Sequence, residues 1–484
     1  MNLRQKTISG LKWSFIESTV TQGVHFIVGI VLARLLSPSE FGLIGMLTFF
    51  IAISQSLIDS GFSQALIRKQ NCTDADYSTV FYFNLAIGVL FYFILFFSAG
   101  AISDFYKQPQ LFELIRVLGL VLIINSFTIL QSTILTKNIN FKLQTKISLI
   151  ASVTSGIIAI TMACMGFGVW ALVAKTISQQ FINSLLLWFC NNWIPCWVFD
   201  KNSFKELFNF GSRLMVSGLI DTTYKNVYFL IIGKYFSSAE LGYYTRANQF
   251  SNLFSSNITS IIQRVSYPVL TTIQDEPERL KSGYKKLIKT TMFISFVLML
   301  AMAAIAKPMV LVLIGNQWLP AAPYLQLLCF VGMLYPLHAL NLNMLNVKGR
   351  SDLFLKLEII KKTLAVPVIL IGILAGIEIM ITGMFLFSLI AFFINSYWSA
   401  RLMNYPVKEQ LADILPAFLF ALFLSSCIFF PSCFLNYKPV LILSIQCIVG
   451  CVVFFLMVNI FKIDAYQEMK QILKEQFTKK DIQN

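Results

Sequence analysis

The chain has 484 residues, of which 57% are hydrophobic and 13% are charged, and its formal net charge is +15. Ordinary soluble domains carry about 25% charged residues, so this composition excludes a soluble domain and indicates a membrane protein. A net charge of +15 would favour a nucleic-acid partner in a soluble protein. Here the basic residues lie in short loops between apolar runs, so we interpret them as orientation signals and expect no nucleic-acid partner.

Apolar segments long enough to cross a bilayer recur along the whole chain. A membrane-spanning helix needs about 20 mostly apolar residues, and fourteen segments meet this requirement: 11–36, 41–66, 78–103, 111–136, 146–166, 168–190, 207–233, 240–268, 287–314, 319–346, 354–376, 379–402, 411–431 and 438–461. The seventh, eighth and tenth are the least apolar and are retained because each has a counterpart in the first half. The sequence therefore predicts an all-α polytopic membrane protein with about 14 transmembrane helices.

Two stretches of sequence occur twice. The polar turn in the run from Val31 to Gly45 recurs after Ile231, so that Arg34, Ser37, Glu40 and Gly42 match Lys234, Ser237, Glu240 and Gly242. A second repeated stretch, at a slightly larger offset, matches Gly119, Lys137 and Phe141 with Gly332, Arg350 and Phe354. The two matches occur in the same order along the chain, which indicates a duplicated six-helix unit, as found in many transporters.

The repeat defines the predicted domains. They are an N-terminal six-helix bundle at 1–190, a cytoplasmic linker at 191–206, a second six-helix bundle at 207–403, helices 13 and 14 at 404–461, and an amphipathic cytoplasmic tail at 462–484.

The distribution of basic residues predicts the orientation. With the N-terminus inside, most of the 38 lysines and arginines fall on the inner side, whereas the outer loops hold only Arg34, Lys107, Lys234, Lys307 and Lys438. Cytoplasmic loops are enriched in Lys and Arg. We therefore predict that both termini are cytoplasmic.

Ionisable residues within the predicted spans are the candidate functional groups. Such a residue costs about 2.5–3.5 kcal/mol near the middle of a membrane helix on insertion scales, so it usually faces a partner or a wet cavity. Glu17, His25, Lys225 and Arg246 fall in the first, seventh and eighth spans. Converging on one cavity, they would suit an anionic substrate and could carry a proton.

Other intramembrane polar groups have structural alternatives. Asp221 and Lys225 are four residues apart and are expected to pair on one helix face, either for structure or for function. Arg116 lies near an interface, where snorkelling is an equal alternative. His338 is more typical of packing than of chemistry, and the Asn and Gln side chains often bond only to neighbouring helices.

The runs Leu32–Gly42 (LARLLSPSEFG) and Gly61–Arg68 (GFSQALIR) resemble the opening helices of the polysaccharide transporter family. These are O-antigen and colanic-acid type flippases of the multidrug/oligosaccharidyl-lipid/polysaccharide exporter superfamily. The resemblance covers nearly the whole chain. It implies two six-helix bundles around a central cavity that opens alternately to each side. The implied substrate is a polyprenyl-pyrophosphate-linked oligosaccharide, moved from the inner to the outer leaflet of the plasma (inner) membrane of a bacterium.

The resemblance also implies a substrate site. Basic residues in the first, seventh and eighth helices of such flippases are thought to meet the pyrophosphate, and the positions that match by location are Lys12, Lys225 and Arg246. Arg213, Asn248 and Asn252 on the same two later helices complete the predicted substrate set. Coupling to H+ or Na+ would use Glu17, His25, Asp59 or Asp221. We expect a monomer without cofactor or metal, with membrane lipids as further partners and a glycan polymerase as a candidate partner.

Rival functions remain open at this point. A multidrug/cation antiporter of the same superfamily would favour an acidic cavity, whereas cations prevail in these spans. A membrane-embedded polymerase would need a large outer loop, which the chain lacks. An acyltransferase would need a membrane histidine with polar partners, for which His338 with Asn341 is the candidate. A sugar transporter of the major facilitator type would have twelve spans and a basic Asp-Arg motif, which Gly61–Lys69 does not supply.

Overall fold

The computed structural model describes residues 3–434, 437–461 and 466; the side chains of 3–18, 261, 264, 265, 267–269, 351, 355 and 461 lie outside the description. Within these ranges the chain contains helices and no strand. In chain order the helices are α1 (Leu3–Leu35), α2 (Pro38–Asp59), α3 (Phe62–Arg68), α4 (Asp74–Tyr106), α5 (Leu111–Leu118), α6 (Leu120–Lys137), α7 (Phe141–Cys164), α8 (Val169–Cys190), α9 (Lys201–Tyr235), α10 (Ser238–Thr272), α11 (Pro277–Leu313), α12 (Ala321–Gly332), α13 (Tyr335–Val347), α14 (Ser351–Leu364), α15 (Val366–Ala375), α16 (Ile377–Met403), α17 (Val407–Phe434) and α18 (Pro439–Phe461).

Each predicted segment coincides with one helix or with two consecutive helices. In the described part of the chain, nine helical stretches are long and apolar enough to cross a membrane, and Ala321–Val347 has the lowest mean hydropathy among them, 1.5. Five of the predicted segments are helical but fall outside these nine: 11–36, 168–190, 207–233, 240–268 and 354–376. The protein is thus a multi-pass helical membrane protein, and the number of fourteen spans stays a prediction. The predicted tail at 462–484 lies outside the described residues except for Tyr466.

Helix α9 begins at Lys201, within the stretch predicted as the linker 191–206. The carboxylate of Asp200 accepts hydrogen bonds from the backbone N–H groups of Asn202 and Ser203, both at 3.1 Å. These bonds satisfy the first free donors of the helix. The hydrogen bonds from Ser203 and Asn202 also lower the pKa of the Asp200 carboxyl.

Breaks between consecutive helices fall at two of the matched glycines. Gly119 separates α5 from α6, and α12 ends at Gly332. A Cβ atom on Gly119 would lie 2.9 Å from the carbonyl oxygen of Ile115, and one on Gly332 would lie 2.7 Å from the Cε of Met299. Both positions are therefore too crowded for a side chain without local rearrangement.

The chain divides into two compact units, Met1–Thr245 and Arg246–Asn484. In the first unit α1 packs along α7, and α9 packs along α2. Its apolar core includes Phe62, Leu66 and Phe81, ringed by aromatic side chains.

In the second unit α11 packs against α17, α12 and α18, and α16 packs against α12 and α13. Ion pairs at one end of α11 add to this packing, because Lys285 lies 3.0 Å from both Glu409 and Asp413 of α17.

Candidate functional site

Two turns of the first unit share one local structure. In the α1–α2 turn the backbone N–H of Ser37 donates to the carboxylate of Glu40 at 2.6 Å. In the α9–α10 turn the backbone N–H of Ser237 donates to Glu240 at 2.9 Å. This Ser-x-x-Glu arrangement caps a helix N-terminus, because the acid accepts from a backbone donor that the helix leaves free. We call Ser37–Gly42 and Ser237–Gly242 the paired turns.

The paired turns contact each other through glycine. A Cβ atom on Gly42 would lie 1.7 Å from the carbonyl oxygen of Ser238, and one on Gly242 would lie 1.9 Å from the carbonyl oxygen of Pro38. The contact is reciprocal, since each glycine faces the first turn of the other helix. No other residue type fits at either position unless the two helices move apart.

Helix α9, which leads into the second of the paired turns, packs along α2 and meets the chain again just after the end of α2. Gly61, at φ +71°, approaches Gly211 of α9 so closely that a Cβ on Gly61 would lie 2.5 Å from the Gly211 carbonyl oxygen. The guanidinium of Arg68 lies 4.4 Å from the centre of the Phe210 ring. Helix α9 therefore follows α2 from one end to the other, and this packing positions the charged residues of α9.

Three predicted site residues lie on α9. The ammonium of Lys225 lies 2.7 Å from the carboxylate of Asp221, and 70% and 49% of their side-chain surfaces are exposed. The predicted i,i+4 pair is thus confirmed, and its role stays a prediction. Arg213 is exposed. The pair is neutral as a whole, so Lys225 would attract an anion strongly only after Asp221 is displaced or protonated.

Arg246, in α10 of the second unit, has the opposite environment. Only 5% of it is exposed. Its guanidinium donates to the side-chain oxygen of Gln249 at 2.5 Å and lies 5.8 Å from the centre of the Trp318 ring. One turn further on, the amide of Asn252 donates to the side-chain oxygen of Asn248 at 3.1 Å. Arg246 is therefore covered in this conformation, and a substrate would meet it only after a rearrangement.

The candidate coupling residues are dispersed. A ring nitrogen of His25 lies 3.2 Å from the side-chain amide of Gln179 in α8. Asp59, at the end of α2, accepts from the Ser63 hydroxyl at 2.5 Å. The side chains of Lys12 and Glu17 lie outside the described residues. Among the residues that are described, no group of three or more His, Cys, Asp or Glu could hold a metal ion.

Two polar clusters lie outside the predicted substrate and coupling residues. In the first unit Gln180 donates to Asn125 at 2.7 Å and lies 3.3 Å from the Thr128 hydroxyl. The sequence shows amide side chains within apolar helices, but it does not show which of these side chains form hydrogen bonds with each other.

The second cluster lies in the second unit. His338 contacts the Ser388 hydroxyl at 2.9 Å and the Asn395 amide at 3.4 Å. Tyr284 donates to the Asn341 side-chain oxygen at 3.0 Å. The two contacts of His338 fit the packing role expected for it, whereas its expected neighbour Asn341 bonds elsewhere.

The fold and these polar groups define a class: a multi-pass helical membrane protein with charged and amide side chains on its membrane helices. A family model described as "Polysaccharide biosynthesis protein" matches residues 31–323, which is more than half of the chain. The chain belongs to this family, and the resemblance to polysaccharide transporters drawn from Leu32–Gly42 and Gly61–Arg68 is confirmed.

Relatives among characterised proteins agree with the family. The teichuronic acid biosynthesis protein TuaB of Bacillus subtilis (strain 168) is 27% identical over 358 residues, covering 73% of both chains. The lipopolysaccharide biosynthesis protein WzxC of Escherichia coli (strain K12) is 28% identical over 379 residues, covering 77% of this chain and 76% of WzxC. The succinoglycan biosynthesis transport protein ExoT of Rhizobium meliloti (strain 1021) is 26% identical over 333 residues, covering 68% of this chain and 67% of ExoT.

Solved structures show the fold. The lipid II flippase MurJ, in an inward closed conformation, superimposes with a TM-score of 0.75 at 14% identity, covering 96% of this chain and 99% of MurJ. An inward-facing multidrug resistance transporter of the MATE family superimposes with a TM-score of 0.63 at 16% identity, covering 80% of this chain and 94% of that chain. The chain therefore has the fold shared by these transporters.

Proposed function

We propose that the protein is a flippase for a polyprenyl-pyrophosphate-linked oligosaccharide, which it moves from the inner to the outer leaflet by alternating access. Membership of the polysaccharide biosynthesis family carries this proposal. The names of three relatives refer to teichuronic acid, lipopolysaccharide and succinoglycan, and that of ExoT includes transport. The solved structure with a TM-score of 0.75 is that of a flippase for lipid II.

The cationic and amide side chains of the membrane helices suit the charge and polarity of such a substrate. A pyrophosphate with attached sugars cannot cross about 30 Å of hydrocarbon unaided. Cationic groups and side-chain amides can replace its hydration. On this proposal Lys12, Arg213, Lys225 and Arg246 meet the pyrophosphate, and Asn248 and Asn252 meet polar groups beside it, while the polyprenyl chain stays in the bilayer.

The two best-described cations would act differently. Lys225 is exposed and already paired with Asp221, so substrate phosphate would compete with the carboxylate. Arg246 is buried beside Trp318, so it would become available only in a different conformation. Protonation of Asp221 would release Lys225, and this links the pair to an ion-coupled cycle. His25, Glu17 and Asp59 remain candidates for the same coupling role.

The contact of the paired turns would be one closed gate. In the orientation predicted from the basic residues, the turns at Ser37 and Ser237 lie on the outer side. Opening there requires that Gly42 and Gly242 separate from the backbones that they touch. The proposed plan of two repeated six-helix bundles plus helices 13 and 14 gives each bundle one of these turns.

A transport assay with purified protein tests the proposal. The protein is reconstituted into liposomes with a fluorescent polyprenyl-pyrophosphate-linked disaccharide, and an impermeant quencher reports which leaflet holds the label. We expect the intact protein to move the label. Lys225→Ala and Arg246→Ala should slow transport, whereas Lys201→Ala, a matched change of an exposed lysine at the start of α9, should not.

A second substrate distinguishes the proposed flippase from a multidrug transporter. The MATE fold is shared by multidrug transporters, so an organic cation such as ethidium is tested in the same liposomes. Movement of the lipid-linked label alone supports the flippase. Movement of the cation alone would overturn the proposed substrate, although the family membership would stand.

A further inference from the structure

Helix α5 has one buried face and one polar face. Leu111, Leu114, Ile115 and Leu118 are buried, whereas Phe112 and Glu113 are exposed. The helix follows directly on the turn that ends α4, so it lies at one end of the first unit's membrane helices. Arg116 is on its second turn, about 5–8 Å along the helix from Leu111. In the orientation predicted from the basic residues, this face lies near the outer end of the predicted span 111–136.

The guanidinium of Arg116 is held between two aromatic rings. Its central carbon lies 3.9 Å from the centre of the Phe112 ring and 4.2 Å from that of the Phe96 ring. Such stacking leaves the edge of the guanidinium, which carries its N–H donors, free to bind an acceptor. Within the described part of the chain no carboxylate lies within 4.0 Å of this guanidinium, and its buried Nε has no hydrogen-bond partner.

Glu113 supplies the complementary charge on the same face. It is three residues before Arg116, a spacing at which helix neighbours can pair, yet the two form no ion pair. Glu113 is nearer to the end of the helix and Arg116 is deeper. This face of α5 thus carries an anion, Glu113, near the start of the helix and a cation, Arg116, one turn further along. Neither has a charged protein partner among the described residues.

The neighbouring surface of α4 is apolar and exposed. Leu90 is 51% exposed, Phe93 47% and Phe97 77%, and the rings of Phe93 and Phe97 stack at 6.1 Å. Since these positions share one helix face, they form a continuous strip beside Phe96 and the Arg116 guanidinium. A strip of this kind is suited to hydrocarbon chains.

We propose that Arg116 and Glu113 form a binding site for a phospholipid with a primary ammonium head group, such as phosphatidylethanolamine. Arg116 binds the phosphate, Glu113 binds the ammonium nearer to the water, and the acyl chains lie along Leu90, Phe93 and Phe97. A net anionic phospholipid leaves Glu113 unpaired and close to further negative charge. A choline head group carries no N–H to donate to it. This inference does not rest on the proposed transport function.

Native mass spectrometry of the detergent-purified protein tests the site. Phosphatidylethanolamine, phosphatidylglycerol and phosphatidylcholine with identical chains are added separately, and the retained lipid is counted. We expect phosphatidylethanolamine to be retained about tenfold better than either other lipid, as one charge-assisted hydrogen bond would give. Equal retention of the three lipids by the intact protein would overturn the proposal, as would a preference for phosphatidylglycerol.

Two substitutions separate the roles. Arg116→Gln should lower retention of all three lipids, with partial recovery in Arg116→Lys. Glu113→Gln should reduce phosphatidylethanolamine retention to the level of phosphatidylcholine. Lys107→Gln, an exposed cation at the end of α4, is the matched control and should leave the preference unchanged. If Arg116→Gln fails to fold, the exposed Glu113→Gln decides alone, and an unchanged preference in it contradicts the assignment.

Discussion

The paired turns and the charged residues of α9 and α10 are held in different ways. At the turns, Gly42 and Gly242 bring one backbone against another with no room for a side chain. On α9 and α10, Lys225 and Arg246 are each held by a partner that could be exchanged, a carboxylate in one case and an amide beside an indole ring in the other. The turns are thus held by contact between backbones, whereas the two charged residues are held by side-chain contacts alone.

The largest expected effect comes from adding a side chain to a paired turn. In Gly42→Ala the added methyl group would lie 1.7 Å from the carbonyl oxygen of Ser238. We expect a loss of about 1–3 kcal/mol of stability from overpacking, together with loss of transport because the turns cannot close. Thermal denaturation in detergent and the liposome assay measure the two effects.

Gly100→Ala is the matched control for this prediction. Gly100 also lies in a membrane helix, but a Cβ there meets nothing within 4 Å. Because alanine is the better helix former by up to about 1 kcal/mol, stability should stay the same or rise. Equal stability and equal transport rates in the two variants would show that the paired turns are not closely packed.

A smaller effect is expected when Arg246 is changed. Arg246→Ala removes a charge that we assign to the pyrophosphate, and loss of one charge-assisted contact should slow transport by about tenfold or more. Arg246→Lys should recover part of the rate, since it keeps the charge but not the planar guanidinium. A Lys variant as inactive as the Ala variant would instead indicate that Arg246 serves to pack against Trp318.

The smallest effect on stability should come from the exposed pair on α9. A double-mutant cycle is built from Lys225→Ala, Asp221→Ala and the double variant. The coupling free energy of unfolding between the two residues should be about 0–1 kcal/mol, as for exposed ion pairs. In transport, Lys225→Ala should be slower and Asp221→Asn should lose its dependence on the coupling ion. A coupling energy of several kcal/mol would mark the pair as structural.

Local sequence was sufficient to predict the turns and most helices. The Ser-x-x-Glu pattern at Ser37 and Ser237 predicts a capped helix start, and apolar length predicts the long helices. Polarity alone did not predict that α9 begins at Lys201, inside the predicted linker 191–206, where Asp200 caps the first turn of the helix.

The environments of the site residues were not predictable in the same way. The burial of Arg246 depends on Trp318, which lies far along the chain, and neither residue belongs to a local motif. The close approach of Gly42 to Ser238 is likewise a tertiary contact. The repeat indicated that the two turns are alike, but likeness alone does not indicate that they touch. Pairing of Asp221 with Lys225 was predictable because it lies within one helix turn.

The most direct test of the account locks the paired turns while transport is measured. A Cβ on Gly45 would lie 3.0 Å from the Oγ1 of Thr245, which suits a disulfide between Gly45→Cys and Thr245→Cys. The pair is introduced after the nine native cysteines are replaced, with each single substitution as its control. We expect oxidation to stop movement of the lipid-linked oligosaccharide and reduction to restore it. Movement at an undiminished rate with the disulfide formed would contradict the account.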